Sequence, residues 1–253
     1  MPRLDNQDDN DMQSFNIGRG GFAFTGARFE TLGASDYTLV SIGVDVSGSV
    51  TPYRQEVIDM LKMAVDACKK NPRSDNMLIR VFLISARFPK GVEEIHGFKS
   101  LSEINVSTYD SIQTGGMTPL TDGCYSGVGG ILAYAKELKA KDFGSNGIAF
   151  FITDGGETGS TATMAMLKKE LKDAIGSETL ESLISILIGI NTGQYDAVLE
   201  TFQKEAGIDH YKKAGEATPG NLAKLAAFLS RSISSQAQAQ GTGGPSQNIA
   251  PTI

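Results

Sequence analysis

The sequence has few of the residues that build disulfide frameworks and soft-metal sites. Its 253 residues include no tryptophan, two histidines and two cysteines. The two cysteines, Cys68 and Cys124, fall on the apolar faces of predicted helices, and two thiols make neither a disulfide framework nor a cysteine metal cluster. We therefore predict a reducing, cytoplasmic location, and ligands other than sulfur for any bound metal.

The sequence also has no basic excess and no long apolar run. Its 29 acidic and 23 basic residues give a formal net charge of −6, without a basic block, which argues against nucleic acid as a partner. The longest apolar runs, such as 183–190, are far shorter than the roughly 18 to 20 residues that cross a bilayer. Aspartates occupy the N-terminal positions where a signal peptide needs an apolar core. We expect neither a membrane span nor secretion by that route.

Composition divides the chain into three segments. Residues 1–19 are polar and acidic, residues 20–233 carry regular apolar periodicities, and residues 234–253 are of low complexity. The middle segment has the length of one domain, and we predict a single domain there, including an N-terminal extension. The last segment has too few large apolar side chains to offset the entropy of ordering it. We predict a disordered tail, with docking of 249–253 on a partner as the alternative.

The middle segment alternates β-rich runs with helical periodicities. This pattern is typical of an α/β fold with a doubly wound, Rossmann-like, mainly parallel sheet and helices on both faces. We predict strands at 38–44, 77–85, 147–153, 183–190 and 208–211, with one antiparallel edge strand at 92–98. Phe22 and Phe24 indicate either an extra strand or a cover for the sheet edge, and the sequence leaves both open.

Two of the predicted strands end in side chains that carry oxygen. Asp45, Ser47 and Ser49 follow the first strand, and Asp154 follows the third. Thr118 stands between them in a glycine-rich loop at the predicted start of a helix. In an open α/β sheet the carboxyl ends of the strands form the ligand-binding edge, so we expect these side chains to meet there. Without His or Cys, they form a set of hard donors that suits Mg²⁺, Mn²⁺ or Ca²⁺.

Each of these motifs has a structural alternative when it is taken alone. An Asp-x-Ser-Gly-Ser sequence can form a turn that caps the next helix, and Asp-Gly is an ordinary turn signal. Three junctions that present oxygen donors together favour one shared site. Asp110 and Asp122 flank the Thr118 loop, and either an outer-shell or a solvated surface role stays open for them. His96 and His210 fall on separate predicted strands and give no support for an imidazole metal site.

Together the motifs resemble the metal-ion-dependent adhesion site (MIDAS) of von Willebrand factor type A (vWA) domains. Asp45-x-Ser47-x-Ser49, Thr118 in a Gly-Gly-Met-Thr-Pro-Leu loop, and Asp154 match all five positions in order. The resemblance implies that Ser47, Ser49 and Thr118 coordinate Mg²⁺, Mn²⁺ or Ca²⁺ through hydroxyls. It implies that Asp45 and Asp154 bind the ion directly or through water. It also implies that one coordination position is left for an Asp or Glu of a protein partner.

The chain resembles the stand-alone bacterial or phage proteins of this type rather than the secreted adhesins, because we expect neither a signal peptide nor paired framework cysteines. Some such relatives work beside MoxR-type ATPases or in tellurium-resistance clusters, so the resemblance suggests those partner classes and a stress response.

The main functional hypothesis is a non-enzymatic, metal-dependent protein-binding module. A phosphatase of the haloacid-dehalogenase kind usually has a second acid two residues after its nucleophilic Asp, and Ser47 stands there instead. The sequence also has no phosphate-binding loop of the P-loop type and no Gly-x-Ser-x-Gly elbow. We predict that the protein is not an enzyme. The alternatives are a metal-independent scaffold in a phage or bacterial assembly and, less favoured, a metal-dependent phosphatase-like hydrolase.

Overall fold

The structure is a computed structural model that describes residues 12–18, 21–176 and 178–242. The strands are β1 (Met12–Ile17), β2 (Phe22–Ala27), β3 (Asp36–Asp45), β4 (Met77–Ile84), β5 (Val92–Ser100), β6 (Gly144–Thr153), β7 (Leu183–Ile190) and β8 (His210–Gly215). The helices are α1 (Arg54–Lys69), α2 (Leu120–Lys139), α3 (Met164–Gly176), α4 (Asp196–Ala206) and α5 (Pro219–Thr242), with short 3₁₀ turns between elements. Within the described ranges, none of these helices has both the length and the apolar composition that a membrane crossing requires.

The described strands form one sheet in the order β1-β2-β5-β4-β3-β6-β7-β8. Five of them, β3, β4, β6, β7 and β8, are parallel to one another, whereas β5 is antiparallel to β4. This confirms the predicted α/β fold with a mainly parallel sheet. The antiparallel strand β5 does not end the sheet, however, because the hairpin of β1 and β2 lies outside it.

The helices cover both faces of the sheet and leave a winding reversal at its centre. Helices α1 and α5 pack on one face, and α2, α3 and α4 pack on the other. The chain passes from β3 to β4 through α1, and it reaches β6, on the other side of β3, through α2. The direction of winding therefore changes between β3 and β6. In sheets of this class the carboxyl end of such a switch point is the place where ligands bind.

Glycines bring helix α2 close to the centre of the sheet. A Cβ atom at Gly123 would lie 2.4 Å from Cδ1 of Ile84, and one at Gly127 would lie 2.5 Å from Cε1 of Phe151. Residues four apart share one face of a helix, so this face of α2 presents bare backbone to the sheet. The start of α2, and with it the loop that carries Thr118, is thereby held against the ends of the central strands.

A buried ion pair attaches the hairpin to the rest of the sheet. Arg80 of β4 is 1% exposed, and its Nε donates to Oε2 of Glu94 at 2.6 Å. The other carboxylate oxygen of Glu94 accepts hydrogen bonds from the Thr25 amide at 2.9 Å and the Thr25 hydroxyl at 2.5 Å. In the described chain β2 and β5 pair at one position, Gly26 with Phe98. Glu94 therefore joins three strands where the backbone ladder is incomplete.

The predicted start of the domain at residue 20 is wrong. Strand β1 begins at Met12, within the segment 1–19 that was expected to be separate from the domain, and it pairs with β2 along its whole length. Phe15 and Ile17 are buried, since alternate positions of this short strand face the core. Of the two roles left open for Phe22 and Phe24, the structure shows the extra strand. Residues 1–11 and 19–20 lie outside the described residues.

The predicted start of a disordered tail at residue 234 is also wrong. Helix α5 continues to Thr242, and Gln236 and Ala237 are buried. The Asn146 amide donates to the Gln236 carbonyl at 2.8 Å, and the Gln236 amide donates to the Ser182 hydroxyl at 2.8 Å. Small and amide side chains are thus buried in a segment whose sequence has no large apolar residue to indicate burial. Residues 243–253, including the alternative docking segment 249–253, lie outside the described residues.

Replacing Glu94 by Ala should lower the free energy of unfolding by about 3 kcal/mol, because it leaves the buried Arg80 charge without its partner. Urea unfolding measures the loss. The matched control is Asp110→Ala, which removes a partly exposed pair with Lys62 and should cost less than about 1 kcal/mol. Equal effects of the two substitutions would show that Glu94 does not hold the hairpin.

Candidate metal centre

Asp45 ends strand β3 and ties the loop that follows it. Its Oδ1 accepts a hydrogen bond from the Ser47 amide at 2.8 Å, and its Oδ2 accepts one from the Thr153 hydroxyl at 2.7 Å. Val44 pairs with Ile152, so the next position on each strand brings Asp45 beside Thr153. The predicted adjacency of these two strands is confirmed.

The serines of this loop do not cap the helix that follows. Ser47 is the N-cap of a 3₁₀ helix, Gly48–Tyr53, yet its side chain makes no capping hydrogen bond. Its hydroxyl lies 3.1 Å from the Ser49 hydroxyl, which in turn donates to Oδ1 of Asp154 at 2.9 Å. The carboxylate of Asp45 forms the turn expected of such a motif. The hydroxyls of Ser47 and Ser49 instead form a short chain of hydrogen bonds that ends at the carboxylate of Asp154.

Asp154 follows strand β6 and receives two hydroxyl hydrogen bonds. Oδ1 accepts from Ser49, and Oδ2 accepts from the hydroxyl of Tyr53, whose side chain is buried. Burial and this hydrogen bond to Asp154 raise the pKa of Tyr53 well above its ordinary value. The phenol therefore keeps its proton at neutral pH and donates it in the hydrogen bond. Tyr53 is not among the residues predicted from the sequence, because no sequence pattern indicates that the side chain at the end of this 3₁₀ turn contacts the residue after β6.

The loop that carries Thr118 is fixed to the β3 loop by backbone hydrogen bonds. The Gly115 amide donates to the Val46 carbonyl at 2.8 Å, and the Gly48 amide donates to the Gly116 carbonyl at 3.0 Å. Gly116 has a φ of +81°, and a Cβ there would lie 2.6 Å from the Ser85 hydroxyl, so a side chain is excluded on both counts. Thr118 lines the same cleft as Ser49 and Asp154.

Two further carboxylates clamp the Thr118 loop to the Asp154 loop. Asp122, in the first turn of α2, is buried and accepts hydrogen bonds from the Thr161 and Ala162 amides. Glu157 accepts from the Thr121 amide at 2.5 Å and from the Thr121 hydroxyl at 2.7 Å. Of the roles left open for Asp122, the solvated surface role is excluded.

Asp110 behaves differently from Asp122. It is more than half exposed and pairs with Lys62 at 2.6 Å, so the surface role holds for it.

The electrostatic character of the site fits a cation. Asp45 is buried, and burial is the largest cause of its raised pKa, with the nearby Asp154 charge adding to the increase. Neither carboxylate forms an ion pair with a lysine or arginine in the described chain. Buried charges without a partner are costly, and a bound cation would compensate both of them.

The donor set is rich in hydroxyls rather than in acids. No group of three or more His, Cys, Asp or Glu side chains placed to hold a metal occurs in the described residues. A cation at this site would therefore combine two carboxylates with the hydroxyls of Ser47, Ser49 and Thr118. The neighbouring oxygens suit a hard divalent ion, which is what the five residues were predicted to hold.

A cleft of about 600 Å³ is lined by three of the five candidate ligands, Ser49, Thr118 and Asp154, and also carries apolar side chains. Tyr195 and Val198, beside the turn and helix after β7, line the cleft and are 43% and 50% exposed. Met117, next to Thr118, is 58% exposed. Exposed apolar groups around a polar centre are typical of surfaces that bind other proteins.

The histidines and cysteines lie elsewhere. His96 on β5 is buried with Nε2 2.9 Å from the Tyr109 hydroxyl, and burial lowers its pKa to about 4. His210 is on β8, and four strands, β4, β3, β6 and β7, separate it from β5. Cys68 and Cys124 are free and buried in the cores on opposite faces of the sheet, so they do not bridge.

Solved structures with a similar fold include proteins with a vWA domain. Von Willebrand factor type A from Catenulispora acidiphila is 17% identical with a TM-score of 0.52, over 84% of this chain and 45% of that chain. The pilus adhesin SpaC from Lactobacillus rhamnosus GG is 11% identical with a TM-score of 0.57, over 84% and 31%. Proximal thread matrix protein 1 from the mussel byssus, with a zinc-occupied MIDAS motif, is 15% identical with a TM-score of 0.52, over 79% and 46%.

Comparison of structures finds matches for this chain, whereas comparison of sequences finds none. The chain spans less than half the length of each of these three proteins. The sequence matches no family model and no curated protein. At identities of 11 to 17% the likeness concerns the fold. The order of the strands, the winding reversal between β3 and β6 and these likenesses together show that the chain has the fold of von Willebrand factor type A domains.

Proposed function

We propose that this protein is a divalent-metal-dependent protein-binding module of the MIDAS type. Ser47, Ser49 and Thr118 would hold the metal through their hydroxyls, and Asp45 and Asp154 would hold it directly or through water. The observation that carries the proposal is the pair of buried carboxylates at the switch point. The Ser47 amide and the hydroxyls of Ser47 and Ser49 connect them, and within the described residues no lysine or arginine pairs with either. Mg²⁺ is the proposed ion, with Mn²⁺ and Ca²⁺ as close substitutes.

Neutral donors leave room for a charged ligand from outside. A divalent ion held largely by hydroxyl oxygens keeps enough positive charge to bind an Asp or Glu side chain of a partner. The protein itself contributes the cleft, which orients that side chain, and the apolar edge of Met117, Tyr195 and Val198, which adds contact area around it.

We further propose that the protein is not an enzyme. A serine nucleophile is typically activated by an adjacent histidine, and His96 and His210 are on other parts of the sheet. The acceptor of the Ser49 hydroxyl is the carboxylate of Asp154, and a carboxylate is a weaker base than imidazole. A cytoplasmic location, and a MoxR-type ATPase or a tellurium-resistance protein as partner, are the finer proposals that the resemblance suggests. A metal-independent scaffold remains the competing function, and the second experiment below distinguishes the two.

Replacing Asp45 by Asn should abolish Mn²⁺ binding and stabilise the metal-free protein at pH 7. Burial raises the folded-state pKa of Asp45, so metal-free wild type loses stability as the pH rises through that value, and the Asn variant does not. The difference should vanish below about pH 4, where the wild-type carboxyl is protonated in both states. Calorimetric titration and urea unfolding at both pH values measure these effects.

Asp110→Asn is the matched control, since Asp110 is exposed and flanks the Thr118 loop outside the proposed ligand set. It should retain Mn²⁺ binding. An unchanged titration with Asp45→Asn would rule out the site.

Peptides selected on the Mg²⁺-loaded protein from a random displayed library should contain Asp or Glu and should be released by a chelator. Thr118→Ala should weaken their binding about ten-fold or more, because it removes a neutral donor from the proposed site. Fluorescence anisotropy with one selected peptide measures the affinity.

Thr114→Ala provides the control on the same loop, because the Thr114 hydroxyl bonds to Thr51 and not to the proposed ligands. Peptides that bind equally well in chelator would mean that recognition does not pass through a metal, and the scaffold function would then be favoured.

A further inference from the structure

Both oxygens of the Asp154 carboxylate are occupied by hydroxyl donors from one segment. Ser49, at the start of the 3₁₀ turn, donates to Oδ1, and Tyr53, at its end, donates to Oδ2. Ser49 donates its hydrogen to Asp154, so the Ser47 hydroxyl is the donor in the bond between the two serines, and one lone pair of Ser49 is left for a metal. The carboxylate itself is held on its far side by the phenol.

From this geometry we infer that Tyr53 is a positioning residue that keeps Asp154 out of direct contact with the metal. The inference rests on the proposed function, because it concerns the same site. Asp154 would then act on the ion through the Ser49 hydroxyl and through water. The direct ligands would be mainly neutral, and the ion would keep its charge for the carboxylate of a partner.

The side chain of Tyr53 is fixed well enough to have this effect. Its ring is 7% exposed and belongs to the core cluster that includes Val50 and Val57. If Asp154 turned toward the metal with Oδ2, it would leave the phenol hydroxyl without its acceptor in a buried place, which is unfavourable. The packing of the ring prevents the hydroxyl from following the carboxylate.

This role was not visible in the five-residue motif. The motif specifies which oxygens approach the ion, but it does not specify which oxygens are held away from it. Hydrogen-bond partners of ligands tune a metal site in this way, and replacing them typically changes metal affinity. Two described residues outside the motif donate to its carboxylates from buried positions: Thr153 donates to Asp45, and Tyr53 donates to Asp154.

Tyr53→Phe tests the inference, since it removes the hydroxyl and keeps the ring. We expect Mn²⁺ to bind about ten-fold more tightly, because Asp154 is released to become a direct ligand and a charged oxygen then replaces a water. Water-proton relaxation should show one fewer water on the bound Mn²⁺, since a carboxylate oxygen takes its place. Acetate, used as a probe for an external carboxylate, should bind the loaded variant more weakly than it binds the loaded wild type.

Tyr211→Phe is the matched control, because the Tyr211 hydroxyl also donates to an aspartate, Asp196, at 2.8 Å, away from the proposed ligands. It should change neither Mn²⁺ affinity nor hydration. In an Asp154→Asn background, Tyr53→Phe should have no further effect, which also separates the proposed role from a general loss of packing.

The outcomes distinguish the two proposals. If wild type binds Mn²⁺ and Tyr53→Phe leaves affinity and hydration unchanged, or weakens binding, the positioning role is wrong and the proposed function stands. If folded wild type does not bind Mn²⁺ at all, the proposed function is wrong, and so is this inference, because it depends on that function. Thermal unfolding of each variant confirms beforehand that the fold is intact.

Discussion

The pairing of β3 with β6 is the constraint on which the rest of the site depends. These strands come from distant parts of the chain, and their register places Asp45 beside Thr153 and therefore near Asp154. Parallel pairing requires long crossovers, and here one of them, α2, begins directly after the Thr118 loop. A single structural requirement thus brings all three loops to one edge. The carboxylates can be buried there because backbone amides and hydroxyls donate hydrogen bonds to them.

The loops around the site are held by side chains and by isolated backbone hydrogen bonds rather than by regular structure. Asp122 and Glu157 bind backbone amides across the gap between the Thr118 and Asp154 loops, which otherwise lack a shared ladder. Gly116 allows the close approach that the Thr118 loop needs. This arrangement places hydroxyls in defined positions before any ligand arrives, and preorganisation of that kind reduces the entropy lost on binding.

The fold and the five candidate ligands were predictable because local signals agree with the global structure. Buried parallel strands give continuous apolar runs, and the polar residues that interrupt them mark the ligand edge. The errors arose where large apolar side chains are sparse in the sequence. Strand β1 has Phe15 and Ile17 among polar neighbours, and α5 ends in residues such as Gln236 that are buried through amide hydrogen bonds. Tyr53 acts across the fold, so no local pattern reveals it.

The attachment of the hairpin divides the sheet into two unequal parts. Between β2 and β5 the described chain has one paired position, the Glu94 carboxylate and a group of packed aromatic rings that includes Phe24, Phe98 and Tyr134. The strands from β5 to β8 are joined by long ladders, and the cleft lies among them. Local opening in proteins follows boundaries where backbone bonding is sparse. We therefore expect local opening to begin at this seam rather than among the strands that border the cleft.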